Sequence, residues 1–267
     1  MLAAASGADL EHPQGIADMI QYSVRWAVPL IFVVTATSAL ARLFPGAWTR
    51  WLLRNRRYLG LSFAVAMAWQ ATFIALVSVG HTAHYYSDIY LLRDELEGSS
   101  GYLLLFAMVV TSFSFARRQL TPQQWSTLHR FGVYFLWAYP YSVYWWNVSY
   151  YGSELWLDYL FYGLGFLAFA ARIAAWGKMR WQARQPRTGT TLAGLLLIAL
   201  GSSLAVTGGI WQTTASSWLL ATPAAQQLEL WLPFWPFEPF LPLLVLGLGT
   251  WLMTLPATAA PSPIPTS

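Results

Sequence analysis

The chain contains no cysteine. That single absence excludes disulfides, iron–sulfur clusters, thiolate haem ligation and cysteine-based zinc sites. Charge is scarce as well: 10% of the 267 residues are Asp, Glu, Lys or Arg, against 57% hydrophobic residues. A soluble core of this size does not need so little charge, and the balance is that of a membrane protein. No Gly-x-Gly-x-x-Gly turn follows a strand-like run, and no segment reads as an alternating βαβ unit, so a nicotinamide or flavin module is missing. Any electrons would have to come from a separate partner. The net charge of +4 and pI of 9.4 raise the question of nucleic acid. The basic residues are spread over several short loops without a continuous patch, and nucleic acid is not an expected partner.

What the chain does have is long apolar runs. Seven stretches approach the length needed to cross a bilayer as a helix: 20–42, 58–80, 101–116, 127–148, 155–176, 190–209 and 238–255. The third is short and the last is interrupted early by prolines. The expected fold is therefore all-α, a polytopic bundle of about seven transmembrane helices in contact with the lipid bilayer.

Charge sorts the connections. Arg42, Arg50, Arg54, Arg56 and Arg57 fill the first, Arg117, Arg118 and Arg130 flank the third, and Lys178, Arg180, Arg184 and Arg187 fill the fifth. The positive-inside rule places these loops and the C-terminus in the cytoplasm and the N-terminus outside. The acidic residues fall on the opposite side: Asp9, Glu11 and Asp18; Asp88, Asp94, Glu95 and Glu97; Glu154 and Asp158; Glu229 and Glu238. Residues 1–19 read as an outer tail and not as a cleavable signal, because the segment is acidic where a signal is basic. Residues 256–267, rich in Pro, Ala, Ser and Thr, read as a disordered tail. Between the sixth and seventh stretches, Trp231 to Phe240 is too proline-rich for helix and too aromatic for a solvated loop. The plain reading is an interfacial segment with its rings at headgroup depth; the alternative is a docking surface for another membrane subunit or a quinone.

Arg56-Arg57-Tyr58-Leu59-Gly60-Leu61 opens the second stretch, and Thr111-Ser112, Trp125 and Leu128-His129-Arg130 lead into the fourth. This layout, from about Trp26 to Trp146, resembles the ferric-reductase-like transmembrane family. It is most similar to the haem-binding membrane subunit of the periplasmic methionine sulfoxide reductase system. The resemblance implies a four-helix membrane core over 20–148, with three further spans over 149–255. In that family a haem-ligating His lies three to four turns into the span after Arg-Arg-x-Leu-Gly-Leu, and a second His follows the one in Leu-His-Arg by thirteen residues. Thirteen helical residues rise about 20 Å, enough to stack two haems within a core of about 30 Å. Here Gln70 and Ser142 occupy those two positions, and the position facing His129 falls near Arg57. Neither an amide nor a hydroxyl of serine is a usual axial ligand. The family's outer haem is therefore not expected, and Gln70 is expected to hydrogen-bond between helices instead, with Ser142 as a candidate partner.

Among the remaining polar residues, His129 reads either as a haem ligand or as a helix-start residue bonded to its neighbours. His81, His84 and Asp88 have the i, i+3, i+7 spacing that shares one helix face. They could hold zinc, copper, manganese or iron, or supply a replacement axial ligand from His81 or His84; otherwise they are a polar helix end. Arg25 reads as structural, snorkelling or pairing with an acid such as Asp158. Glu154 and Asp158 have no accompanying nucleophile or His, so no catalytic residues are identified. Asn147-Val148-Ser149 fits a glycosylation sequon but sits tight against a span end, where a chance match explains it. Seven spans with the N-terminus outside is also the rhodopsin layout, but retinal needs a lysine in the last helix and the only lysine is Lys178. The sequence thus points to an inner-membrane, multi-pass protein without a cofactor, a non-catalytic subunit beside a redox or other membrane partner. The alternatives are an electron-transfer protein with one b-type haem or a quinone, and an outer-face metal-binding protein.

Overall fold

A computed structural model of the chain describes residues 7, 9–182 and 188–255. Arg184, Arg187 and the 256–267 tail lie outside the described residues. Among the described residues there are helices and no strands. Each of the seven apolar stretches falls on a helix: α1 (Pro13–Leu43), α2 (Ala47–Gly80), α3 (Leu92–Val110), α4 (Pro122–Ser149), α5 (Trp156–Gln182), α6 (Thr188–Val206) and, after two shorter helices, α9 (Leu241–Met253). Four helices, α1, α2, α5 and α6, are long and apolar enough to cross a membrane by length and composition. The connection after α6 is less irregular than its prolines suggest, because it folds into α7 (Gly208–Leu219) and α8 (Pro223–Trp231).

Local signals explain where helices begin. Thr121-Pro122-Gln123-Gln124 starts α4 with a capping box: the Thr121 hydroxyl accepts from the Gln124 N–H at 3.2 Å, and Gln124 Oε1 accepts from the Thr121 N–H at 2.9 Å. Thr222 caps α8 ahead of Pro223, its hydroxyl accepting from the Ala225 N–H at 3.2 Å. Within the 1–19 segment, helix begins at Pro13, and Ile16 and Met19 pack against Phe73, Val77 and Tyr85. The third apolar stretch also shifts. α3 starts at Leu92, so Asp94 and Glu95 occupy its first turn, where they complement the helix dipole.

The main core lies between α1, α4 and α5, and it crosses the boundary between 20–148 and 149–255. Trp137, Tyr141 and Phe169 stack there, with Trp137 and Tyr141 centroids 4.8 Å apart and Trp137 and Phe169 4.4 Å apart. Trp137 Nε1 donates to Gly165 O at 2.9 Å, and the nearby Tyr162 hydroxyl donates to Ala205 O at 2.7 Å. α6 and α9 meet through glycine. A Cβ on Gly194 would lie 2.5 Å from Gly249 O, and one on Gly249 would lie 2.7 Å from Gly194 O. Such close backbone approach is the packing that small residues permit between apolar helices. Gly194→Leu should therefore force α6 from α9 and lower stability by about 1–3 kcal/mol, read as an earlier unfolding midpoint in detergent.

Candidate functional site

A cavity of about 500 Å³ opens at the end of the bundle that carries the α1–α2 and α3–α4 connections. Five arginines and one histidine line it: Arg56 and Arg57 from α2, Arg117 from the α3–α4 connection, His129 and Arg130 from α4, and Arg172 from α5. No Asp or Glu lines it, and none of these arginines forms a salt bridge among the described residues. Its inner wall is apolar, with Ile31, Phe63, Leu105 and Leu136.

His129 is held on two sides. Its ring lies 4.3 Å from Trp125, which in turn lies under Arg117 at 4.7 Å. Its Nε2 is 3.0 Å from Thr111 Oγ1, and the Thr111 hydroxyl donates its single proton to Ala107 O at 2.7 Å. Thr111 Oγ1 thus bridges the imidazole and its own helix backbone, engaging Nε2 in a hydrogen bond. Trp125 Nε1 closes the arrangement by donating to Thr111 O at 3.1 Å. Thus Thr111, Trp125 and His129, read as one motif in the sequence, are one hydrogen-bonded unit. Arg57 lines the same cavity as His129 and stacks on Phe113 at 5.4 Å.

The other two positions singled out by the resemblance are Gln70 and Ser142. Gln70 does bond between helices, but its partner is Tyr102 of α3, whose hydroxyl is 3.2 Å from Gln70 Oε1 and 3.3 Å from Met67 O. Ser142 donates to its own helix, at Tyr139 O, 2.8 Å away. No hydrogen bond joins Gln70 to Ser142; a serine hydroxyl has a nearer acceptor one turn back on its helix.

The His81/His84/Asp88 spacing does not survive folding as one face. α2 ends at His81, whose φ of −129° leaves the helix, and Tyr85–Ile89 winds as a π-helix. His84 Nδ1 pairs with Asp88 Oδ2 at 3.0 Å. Among the described residues no group of three metal-ligating side chains converges. The Ser87 hydroxyl, with His84 beside it, holds the Asp88 carboxyl below its usual range. Burial, aided by a 2.9 Å bond to Glu95, pushes the neighbouring Tyr85 hydroxyl up to about 12. Arg25 does not pair with Asp158, which accepts instead from Ser153 at 2.6 Å and Asn147 at 3.4 Å.

Besides Arg25, two arginines belong to none of the basic loops. Arg172, midway along α5, donates to Thr35 O at 2.9 Å, to Ser38 at 3.3 Å and to Tyr134 at 2.6 Å. Its signal was available, since a lone arginine within an apolar run marks a functional or structural anchor. Arg93, at the start of α3 and among the acids, donates to Trp235 O at 2.8 Å and pairs with Glu97 at 3.4 Å and Glu229 at 3.5 Å. Glu97 also accepts from the Phe234 N–H at 2.9 Å.

These bonds correct the reading of Trp231–Phe240 as a segment lying along the interface. Trp231 to Pro233 are exposed, but Pro236, Glu238 and Pro239 are buried, and Phe234 and Phe240 pack on the core. Phe234 and Phe237 take φ of 63°, a costly left-handed conformation for bulky residues that surrounding bonds must maintain. The segment is a plug pinned into the bundle, and Tyr141 completes it by donating to Pro239 O at 2.9 Å.

No protein-family model, curated protein or solved structure matches the chain. Glu97→Ala should release the Phe234 N–H and leave Arg93 half-paired, at a cost of about 1–3 kcal/mol. Faster hydrogen exchange confined to 231–240 is the expected readout.

Proposed function

We propose that this is an integral inner-membrane protein of seven spans, N-terminus outside, built on a bundle resembling the ferric-reductase-like core. It acts as a non-catalytic subunit beside a redox or other membrane partner. One observation carries this reading: each inherited ligand position is engaged elsewhere. Gln70 bonds Tyr102, Ser142 bonds Tyr139 O, and His129 Nε2 is hydrogen-bonded to Thr111 Oγ1. The residues present do not fit bis-histidine haem. A second reading, electron transfer through one b-type haem or a quinone, draws on the cavity beside His129. It requires His129 to leave Thr111 or to use its other nitrogen.

Reduced-minus-oxidised visible spectra of protein purified in detergent separate the two. The subunit reading expects no Soret band at stoichiometric level. A stoichiometric band abolished by His129→Ala would establish the electron-transfer reading in its place.

The topology has its own test, made simple by the lack of native cysteine. Ser87→Cys should react with a membrane-impermeant thiol reagent added to spheroplasts, and Gln119→Cys should react only after lysis. The reverse pattern would invert the assigned sides.

A further inference from the structure

We infer that the basic cavity is a binding site for a phosphate group, and that its apolar inner wall suits a phosphate carried on a lipid chain. The inference does not rest on the fate of the haem positions.

The argument begins with uncompensated charge. Arg56, Arg57, Arg117, Arg130 and Arg172 converge on one space of about 500 Å³ with no carboxylate on its wall. All eleven Asp and Glu of the chain are among the described residues, and the ion pairs found among the described residues involve none of these arginines. Like charges so arranged repel one another, and in a partly desolvated space screening by water is weak. An anion with several acceptor oxygens relieves that repulsion and matches the guanidinium fork.

A general excess of positive charge on the cytoplasmic side does not account for the arrangement. That excess is carried equally well by Arg42, Arg50 and Arg54, none of which lines the cavity. Nor does it account for Arg172, which is set midway along α5 and held by Thr35, Ser38 and Tyr134. The walls are ordered by neutral contacts: Trp125 supports Arg117, Phe113 supports Arg57 and Tyr134 supports Arg172. These contacts fix the arginines without neutralising them.

The opposite side of the cavity selects what carries the phosphate. Ile31, Phe63, Leu105 and Leu136 offer nothing to a hydrated inorganic ion, whereas an acyl chain entering between α1, α3 and α4 would cover them. Basic pockets between helices at the cytoplasmic end of a bundle have the chemistry of an anionic headgroup site.

The test uses full-length protein in uncharged detergent, titrated with dioctanoyl phosphatidylglycerol, dioctanoyl phosphatidylcholine or inorganic phosphate. Binding is read from tryptophan fluorescence and from the rise in unfolding temperature. Phosphatidylglycerol is expected to bind saturably and phosphatidylcholine not. The exposed pair Arg117→Gln/Arg130→Gln should weaken phosphatidylglycerol roughly ten- to thirtyfold, about three- to fivefold for each charge. The pair Arg50→Gln/Arg54→Gln, an equal change of charge away from the cavity, should leave it within about twofold. Inorganic phosphate bound as tightly as the lipid, with the same dependence on Arg117 and Arg130, would keep the phosphate site and assign it to a soluble ligand. Absence of saturable binding by either anion, or equal losses in both variant pairs, would overturn the inference.

Discussion

The arrangement of the bundle depends on Arg172. A guanidinium midway along an apolar helix is tolerated only where several acceptors meet it, because an unpaired buried charge is far costlier than a hydrogen-bonded one. Thr35 and Ser38 from α1 and Tyr134 from α4 provide those acceptors. Since they come from two helices, satisfying one charge fixes α1, α4 and α5 relative to one another. That placement also makes Arg172 one wall of the cavity and brings His129, about a turn before Tyr134 on α4, onto the same space.

The same requirement recurs at the other end of the bundle. There Arg93 and Glu97 are satisfied by backbone atoms of a segment more than a hundred residues away, Trp235 O and the Phe234 N–H. The bonds hold two phenylalanines in a left-handed conformation and press a fully buried Glu238 and Pro239 against α4 and α7. Both ends of the molecule thus join helices by giving isolated charges specific partners. The apolar surfaces between them supply the packing, with stacked rings at Trp137 and Tyr141 and close glycine contact between α6 and α9.

Much of this was legible from sequence, and what was not has a common cause. Helices over all seven apolar stretches follow from local composition, and the start of α4 follows from Thr121-Pro122-Gln123-Gln124, because such signals act within one or two turns. The interhelical role of Gln70 was also legible, since an amide in an apolar run must find a partner; that the partner is Tyr102 was not. The plug was misjudged because prolines and aromatic rings look alike at an interface and in a core, and only Arg93 decides between them. The His81/His84/Asp88 spacing describes one face only on a continuous helix, and here the helix ends at His81. Arg172 was legible too, since a guanidinium inside an apolar run belongs to no loop and must find acceptors within the bundle.

The most direct test of this account is an experimental density map of the protein in nanodiscs containing phosphatidylglycerol. The account predicts headgroup density between Arg117 and Arg130, with His129 against Thr111 and Trp125 and Gln70 against Tyr102. Planar tetrapyrrole density in the cavity, with His129 turned from Thr111 to an iron, would contradict it.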